Sequence, residues 1–415
     1  VDVVGLADGA VKEARERMQA AIRNSGFEFP PERVLISLSP ADLKKEGAGF
    51  DLPIALAVLA AKDSVGTGTV STQTSFINGS VLIMGELELS GKVRSVKGVH
   101  AACSTAANCG ITRCIVPKAN ADEAREVSGM FVYGTENLAD AVEALKNPAY
   151  FTSGSSDTNL SGIPGNAECI DGVYFLPVIE GFEFGEIRGQ EKLVRGLQIA
   201  AAGGHNLLAV GAPGCGKTMA IQKFPALLPY LTKDEAQTTT RIWSLAGLLQ
   251  PQEPLIRTPP FRMPHQTATL EGICGGGPQC RPGEISLAHN GVLFLDEAAE
   301  FRSTVLQTLR VPLESGRITL SRAGRSTVYP ADFQLMMAAN PCPCGNFGND
   351  SKLCLCSASA IDSYWKKFSA PLLDRIDLRI KIENESEHFE FKKHTTHDLR
   401  VSIARAVSIQ RKRQS

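Results

Sequence analysis

The chain has 415 residues, with 43 Lys or Arg and 44 Asp or Glu, so its net charge is −1. This length predicts two or three domains, and the near-neutral charge excludes a basic overall surface, so any nucleic-acid contact must be a local patch. No apolar run has the length of a membrane span, and no signal peptide is visible, although the chain opens at Val1 within a structured-looking segment. The 11 cysteines do not resemble a secreted disulfide framework, which favours a reducing, cytoplasmic location.

The first 150 residues predict an α/β domain. Apolar periodicity predicts helices over 11–25, 52–61 and 100–108, and strands over 33–38 and 113–116, with a strand pair or one bent strand over 81–89. Several basic residues could form a DNA-binding face, or equally a solvated charged surface: Lys12, Arg15, Arg17, Arg94 and Lys97. The Ser/Gly/Pro-rich stretch 151–165 predicts a linker over 151–172, so that a second domain spans 173–385.

The segment 211–218 fits the phosphate-binding pattern G-x-x-x-x-G-K-[ST]. An apolar strand is predicted before it, over 207–210, and a helix after it, over 219–228. In this context the glycines let backbone N–H groups and the helix N-terminus surround a phosphate. Lys217 is expected to reach the β- and γ-phosphates, and the Thr218 hydroxyl to bind Mg²⁺. The predicted nucleotide contacts are Gly211, Pro213, Gly214, Cys215, Gly216, Lys217, Thr218 and Met219.

Two later apolar runs end in polar residues that complete this site. The run from Gly291 ends in Asp296 and Glu297, as expected of a buried parallel strand with carboxylates at its end. Asp296 can hold the Mg²⁺ shell, and Glu297 can polarise the attacking water. The strand over 333–340 ends in Asn340, which could orient that water or contact the γ-phosphate, or could simply cap a turn.

Four cysteines occur in two pairs within a loop at 342–356. Cys342 and Cys344 form one pair, and Cys354 and Cys356 the other. Four thiols so spaced suit a tetrahedral zinc site, although the C-x-C spacing is tighter than usual and free or redox-sensitive thiols are the alternatives. We expect a structural Zn²⁺ that staples this loop.

Residues 314–329 predict a β-hairpin around an Ala323-Gly324 turn. Arg317, Arg322 and Arg325 lie along it, and arginines near a hairpin tip suit phosphate contacts better than core packing. The alternative is a solvated hairpin tip.

These motifs give the chain a resemblance, from Val1 to about residue 410, to the magnesium-chelatase-like AAA+ ATPases of the bacterial competence-protein ComM (YifB) family. Besides the phosphate-binding segment, the resemblance rests on Gly-x-x-Phe-Asp-Leu-Pro at 47–53, Gly189-Gln190, and Arg-Pro-Gly-Glu-Ile-Ser-Leu-Ala-His at 281–289. It also rests on Gly-Val-Leu-Phe-Leu-Asp-Glu at 291–297, Asn-Pro-Cys-Pro-Cys-Gly at 340–345 and Pro-Leu-Leu-Asp-Arg-Ile-Asp at 371–377.

The resemblance implies an ATP-hydrolysing hexameric ring that uses Mg²⁺ and drives branch migration of DNA joints during natural transformation. It implies that Gly189 and Gln190 contact the nucleotide and that Arg375 acts as an arginine finger on the neighbouring subunit's γ-phosphate. The alternative for Arg375 is a surface salt bridge with Asp374 or Asp377. It places the arginine hairpin and an insert at 261–288, with His265 and Gln266, in a DNA-binding pore. The helix predicted over 399–413 would begin a C-terminal lid (386–415) that continues past the end of the chain.

The resemblance also implies a Lon-protease-like, ribosomal S5-like α/β fold for residues 1–150. The proteases of that fold use a Ser–Lys dyad, whereas this chain has Gly-Ala-Gly-Phe-Asp at 47–51 and His100 at the corresponding positions. Without a nucleophile and its base, acyl transfer has no starting point. We therefore expect a non-proteolytic module followed by a P-loop AAA+ motor acting on DNA. The alternatives are a chelatase-type motor that remodels a protein partner for metal insertion and, less favoured, an ATP-dependent protease.

Overall fold

The computed structural model describes residues 2–4, 9–39, 48–65, 80–153, 162–250, 253–277, 279–322, 325–348, 352–382 and 394–414. They divide into two compact units. One consists of Val1–Gly162 with Trp243–Leu255, and the other of Ile163–Ile242 with Ile256–Ser415. Among the described residues, we find no helix with both the length and the apolarity that a bilayer crossing requires.

The first unit has a mixed sheet with helices on both faces. Its helices are α1 (Gly9–Asn24), α2 (Asp51–Val65), α3 (Val99–Asn108), α4 (Ala121–Arg125) and α5 (Leu138–Lys146). Its strands are β1 (Asp2–Val4), β2 (Leu35–Ser37), β3 (Val81–Ile83), β4 (Glu86–Leu87), β5 (Val93–Arg94), β6 (Arg113–Pro117), β7 (Phe131–Thr135) and β8 (Thr152–Ser153). The sheet order is β3-β6-β7-β8, with β8 antiparallel to its neighbour.

Alternation along β6 divides the core of this unit into two layers. Ile115 packs in a cluster with residues of α1, α2 and α5, whereas Cys114 and Val116 pack in a second cluster with α3 and α4. Successive strand residues point to opposite faces, so one apolar strand supplies both layers. The 81–89 run forms two separate strands, because β3 pairs with β6 whereas β4 pairs with β5.

The first turn of α2 is fixed by a buried ion pair. Asp51 is fully buried and accepts hydrogen bonds from Nε of Arg17 at 3.0 Å and from the Leu87 amide at 3.3 Å. Burial raises the pKa of Asp51, and the Arg17 guanidinium opposes that rise. Arg17 therefore serves the interior of this unit rather than a basic outer face, and Arg94 is likewise paired, with Glu88 at 2.5 Å. Gly47 and the side chain of Lys12 lie outside the described residues.

The predicted linker contains ordered strands at both ends. Thr152–Ser153 pairs with β7, and β9 (Glu168–Ile170) pairs with β10 (Val173–Phe175). The turn between β9 and β10 is Asp171-Gly172, with φ of 49° and 76°, the two positive values that a tight hairpin turn requires. The predicted linker region therefore includes the first strand and the turn of a hairpin at 168–172, and residues 154–161 lie outside the described part of the chain.

The second unit is built on a five-stranded parallel sheet. Its helices are α6 (Glu191–Gly203), α7 (Lys217–Gln222), α8 (Lys233–Ala246, whose last residues group with the first unit), α9 (Leu270–Cys274), α10 (Glu284–Leu287), α11 (Ser303–Thr308), α12 (Arg310–Ser315), α13 (Ala358–Trp365), α14 (Ala370–Leu373) and α15 (Thr396–Gln414). After β9 and β10, its strands are β11 (Leu207–Gly211), β12 (Phe261–Arg262), β13 (Gly275–Gly276), β14 (Arg281–Pro282), β15 (Val292–Leu295), β16 (Arg317–Arg322), β17 (Arg325–Pro330), β18 (Gln334–Ala339) and β19 (Leu378–Ile382).

The main sheet has the order β12-β15-β18-β11-β19 with every pairing parallel. Alternate residues of its central strands enter two apolar clusters: Leu207 and Phe294 pack with α6 and α15, whereas Leu208 and Leu293 pack with α11 and α14. Strands buried on both faces have continuous apolar sequences, which is why these strands could be predicted from the sequence. The segment 261–288 is not wholly an insert, since β12 is the edge strand of this sheet.

The arginine hairpin forms as predicted. β16 and β17 pair in antiparallel register from Arg317↔Pro330 to Arg322↔Arg325. Ile318, Leu320 and Tyr329 are buried on one face, and Arg317 is exposed. Ala323, Gly324 and the side chains of Arg322 and Arg325 lie outside what the structure describes.

Candidate nucleotide-binding site

The phosphate-binding segment forms a tight turn between β11 and α7. Gly214 and Gly216 have φ of 79° and 84°, a region that residues with a Cβ rarely adopt. A Cβ on Gly211 would lie 2.9 Å from Cβ of Ile382, so glycine is required there for close packing. The predicted helix over 219–228 is shorter than expected: α7 ends at Gln222, and Phe224–Leu227 is a separate 3-10 turn, because Pro225 has no N–H and disfavours the α conformation before it.

Lys217 lies inside this turn and is nearly fully buried. Its Nζ donates to the backbone carbonyls of Gly211 at 2.6 Å and Ala212 at 2.8 Å, and to Oδ1 of Asn340 at 3.4 Å. A buried ammonium held by neutral carbonyl and amide oxygens is poised for an anionic partner, because a phosphate would supply the missing opposite charge.

Thr218 and Asp296 meet across the site. The Thr218 hydroxyl donates to Oδ1 of Asp296 at 3.0 Å. A hydroxyl and a carboxylate at this separation are oxygen ligands of the kind that Mg²⁺ prefers. The donor set therefore fits a magnesium ion, with Thr218 and Asp296 as its protein ligands.

Glu297 follows at the end of β15 in a strained backbone conformation. Its φ of 48° is left-handed although it is not glycine, and its amide donates to Oδ1 of Asp296 at 3.0 Å. Strained backbone conformations persist only where the surrounding structure enforces them, and they occur mainly at functional sites. The side chain of Glu297 is exposed, so it is accessible to a water molecule.

Gly189 and Gln190 also lie at this site, and both have positive φ, of 67° and 60°. Nε2 of Gln190 donates to the carbonyl of Cys215 at 3.0 Å, so Gln190 holds the phosphate-binding turn in place. Met219 is 46% exposed on the first turn of α7.

Arg375 is half-exposed and points to a different partner from those considered in the sequence. Its guanidinium pairs with Glu314 at 2.9 Å rather than with Asp374 or Asp377. Asp377 instead accepts a hydrogen bond from the Asn206 amide at 2.8 Å. An exposed arginine held by a surface carboxylate remains available to a second molecule.

The four cysteines of the 342–356 loop come together. Their sulfurs lie within 4.8 Å of one another, with Cys342 3.4 Å from Cys344 and 3.7 Å from Cys354. The amide of Asn346 and the neighbouring Cys342 thiol lower the pKa of Cys344 to about 6. Four converging sulfurs fit a tetrahedral metal ion such as Zn²⁺.

His265 makes local contacts. Its Nδ1 accepts a hydrogen bond from the Thr267 amide at 3.2 Å and lies 2.8 Å from Oγ1 of the same residue. The residue is exposed, and its Nδ1 contacts stabilise a turn.

Sequence reasoning missed Tyr364 and Gly345. Tyr364 is buried on α13 beside the backbone of Asn340, and burial raises its pKa to about 12. Gly345 lies against the phosphate-binding turn, since a Cβ there would be 2.5 Å from Cδ of Pro213. No local pattern in the sequence signals either contact.

Comparison with known proteins gives the family. Residues 183–411 match the family model described as magnesium chelatase, subunit ChlI, and residues 1–120 match the one described as subunit ChlI of Mg-chelatase. The chain is 40% identical over 381 residues to YifB of Escherichia coli, covering 92% of this chain and 70% of that protein. It is 39% identical over 385 residues to the competence protein ComM of Haemophilus influenzae, with the same coverage of 92% and 70%.

A more distant similarity connects the chain to a chelatase subunit. The magnesium-chelatase 38 kDa subunit of Cereibacter sphaeroides is 25% identical over 176 residues, covering 39% of this chain and 53% of that protein. The two family matches and the identities near 40% over most of both chains agree with the geometry of the site. The chain therefore belongs to the magnesium-chelatase-like family that contains ComM and YifB.

Proposed function

We propose that the chain is an ATPase that works as a ring-shaped DNA motor of the branch-migration type. The observation that carries the ATPase is the convergence of Lys217, Thr218, Asp296 and Asn340 at the ends of three adjacent parallel strands. Ligands bind in open α/β sheets outside the carboxyl ends of the strands, and these side chains match the parts that phosphoryl transfer requires.

The residues of this site have distinct roles in hydrolysis. Lys217 would exchange its carbonyl partners for phosphate oxygens, and Thr218 and Asp296 would hold Mg²⁺, which would neutralise charge on those oxygens. Glu297 accepts a proton from the attacking water, and Asn340 orients that water or the γ-phosphate. Gly189, Gln190 and the backbone of the phosphate-binding turn position the nucleotide.

Assembly into a homo-hexamer would complete each site with Arg375 from a neighbouring chain. The exposure of Arg375 and its weak surface pairing with Glu314 support this role. A permanently charged planar guanidinium is suited to the transition-state charge.

DNA as the substrate is supported by the name of ComM, a competence protein, and by the arginines of the β16–β17 hairpin. Arg317, Arg322, Arg325 and His265 would contact the backbone of branched or single-stranded DNA in recombination during natural transformation. Such contacts are electrostatic and sequence-independent, as a translocating motor requires. We also propose that the four-cysteine loop holds one structural Zn²⁺.

A chelatase-type motor acting on a protein partner is the second candidate, favoured by the similarity to the chelatase 38 kDa subunit. Proteolysis is a weaker candidate, because no serine occurs at 47–51 and His100 occupies the position of the dyad lysine.

The test is ATP turnover by the purified chain with Mg²⁺, with and without single-stranded or branched DNA. We expect DNA to stimulate turnover, and Lys217→Ala to abolish turnover under both conditions. ATP turnover that no DNA changes would contradict the DNA motor and favour the chelatase-type motor. Absence of nucleotide binding would contradict the ATPase itself.

A further inference from the structure

The loop that carries the four cysteines rests on the phosphate-binding turn. We call residues 342–348 and 352–356, the described part of this loop, the cysteine loop. Gly345 has φ of +78°, and a Cβ built on it would lie 2.5 Å from Cδ and 2.6 Å from Cγ of Pro213. The backbone of the loop is therefore in van der Waals contact with the proline ring inside the turn that surrounds Lys217.

The first cysteine pair is also linked to the nucleotide site through the chain itself. Cys342 is buried two residues after Asn340, whose side chain accepts a hydrogen bond from Lys217. Between them, the carbonyl of Pro341 accepts a hydrogen bond from Nε1 of Trp365 at 3.0 Å. The position of Cys342 therefore directly affects the position of Asn340, which contacts Lys217.

The second cysteine pair is linked to Asn340 through helix α13. Cys356 is followed by Ser357, whose side chain caps α13 by accepting a hydrogen bond from the Ala360 amide at 3.2 Å. Helix α13 carries Tyr364, which is buried beside the backbone of Asn340. A metal ion bound by both pairs would join two chain segments. One begins directly after Asn340, and the other leads into the helix that lies beside Asn340.

We propose that metal occupancy of the four cysteines sets the nucleotide affinity of this site. Zn²⁺ holds the two segments together, so that Gly345 presses on Pro213 and Asn340 keeps its place beside Lys217. Structural zinc sites contribute directly to the folding of the loops that carry them. The metal centre is then part of the nucleotide site rather than a separate staple. This inference rests on the nucleotide binding proposed above.

The first test separates the effect of the contact between Gly345 and Pro213 from the effect of metal occupancy. Gly345→Ala places a methyl group against Pro213, whereas Gly348→Ala lies in the same loop, at φ of +73°, with nothing within 4 Å of the added carbon. Both variants bear the same backbone strain, so their difference reports the contact alone. Zinc content is measured by elemental analysis, and affinity by calorimetric titration with ADP.

We expect wild type and both variants to hold about one zinc per chain. ADP should bind more weakly to Gly345→Ala than to Gly348→Ala, by on the order of tenfold, the equivalent of about one hydrogen bond. Equal ADP affinities of these two variants would overturn the inference.

A second set of variants removes the metal. Cys344→Ser should lose zinc and bind ADP more weakly by a similar factor, whereas Cys109→Ser, which replaces an exposed cysteine of the first unit, should change neither quantity. A zinc-free Cys344→Ser protein with wild-type ADP affinity would overturn the inference and leave the ATPase intact. Wild-type protein that holds zinc but binds no ADP would instead contradict the proposed function.

Discussion

The Thr218 hydroxyl donates a hydrogen bond to Asp296 at 3.0 Å, across 78 residues of sequence. The order of the sheet explains this contact. Strand β11 leads into Thr218 and strand β15 leads into Asp296, and the two are separated only by β18, so these parallel strands end close together at the same edge. The same order places Asn340, at the end of β18, beside Lys217. The polar residues that follow these three strands therefore lie together at one edge of the sheet.

Lys217→Ala and Glu297→Gln should separate binding from chemistry. Lys217→Ala removes the ammonium that pairs with phosphate, so ATP affinity should fall by at least about tenfold. Glu297→Gln should bind ATP normally and lose turnover by about 100-fold or more, because only the proton acceptor is lost. Nucleotide titration and steady-state hydrolysis measure the two effects. Substantial turnover by Glu297→Gln would contradict its role.

Arg375→Ala should lower turnover by about 1,000-fold or more while ATP still binds. Because the site would use parts of two chains, mixing Arg375→Ala with Glu297→Gln subunits should restore part of the activity. Glu314→Gln is the matched control, since it releases Arg375 from its surface pairing and should not reduce turnover. Full activity of Arg375→Ala protein would exclude the arginine finger.

The double variant Arg322→Ala with Arg325→Ala should weaken DNA binding equally across sequences. Each lost phosphate contact should reduce the slope of log affinity against log salt by about 0.7 to 0.9. Basal ATP turnover should remain, and its stimulation by DNA should be lost. Arg310→Ala, which removes an exposed arginine from the neighbouring α12, provides the comparison. Unchanged affinity and salt slope in the double variant would contradict the role of the hairpin.

Arg17→Met should destabilise the first unit by about 3–5 kcal/mol at neutral pH, because it leaves the buried Asp51 carboxylate unpaired. The pKa of Asp51 is already raised in the folded state, so stability is lost as the pH rises from the unfolded value through the folded one. Without Arg17 that pKa should rise further, so the penalty should shrink under acidic conditions. Denaturant unfolding at two pH values measures this change.

Arg33→Met is the control for that measurement, because Arg33 pairs with Asp2 on the exposed surface. Its effect should stay below about 1 kcal/mol. An equal loss of stability in the two variants would show that burial of Asp51 is not the cause.

The local parts of this site could be predicted from the sequence. The phosphate-binding segment, the apolar runs of β15 and β18 and the hairpin β16–β17 are patterns within a few residues, where backbone geometry and burial determine side-chain choice. The Asp171-Gly172 dipeptide is equally a hairpin signal, but it follows closely after the Ser/Gly/Pro-rich stretch 151–165 and was included in the predicted linker.

Contacts between distant segments could not be predicted. The packing of Gly345 on Pro213 and the pairing of Arg375 with Glu314 depend on strand order and loop placement, which no periodicity encodes. The short edge strand β12 was missed for a related reason, because two residues carry too little alternation to signal a strand.

The left-handed backbone of Glu297 places activity and thermal resilience in opposition. A left-handed residue with a Cβ costs about 1–2 kcal/mol, and glycine at this position would relieve that cost, less the extra freedom that glycine gains in the unfolded chain. A laboratory selection for heat tolerance alone would therefore enrich inactive variants at position 297. Retention of glutamate there in every surviving clone would show that the surrounding contacts, rather than the catalytic demand, impose this conformation.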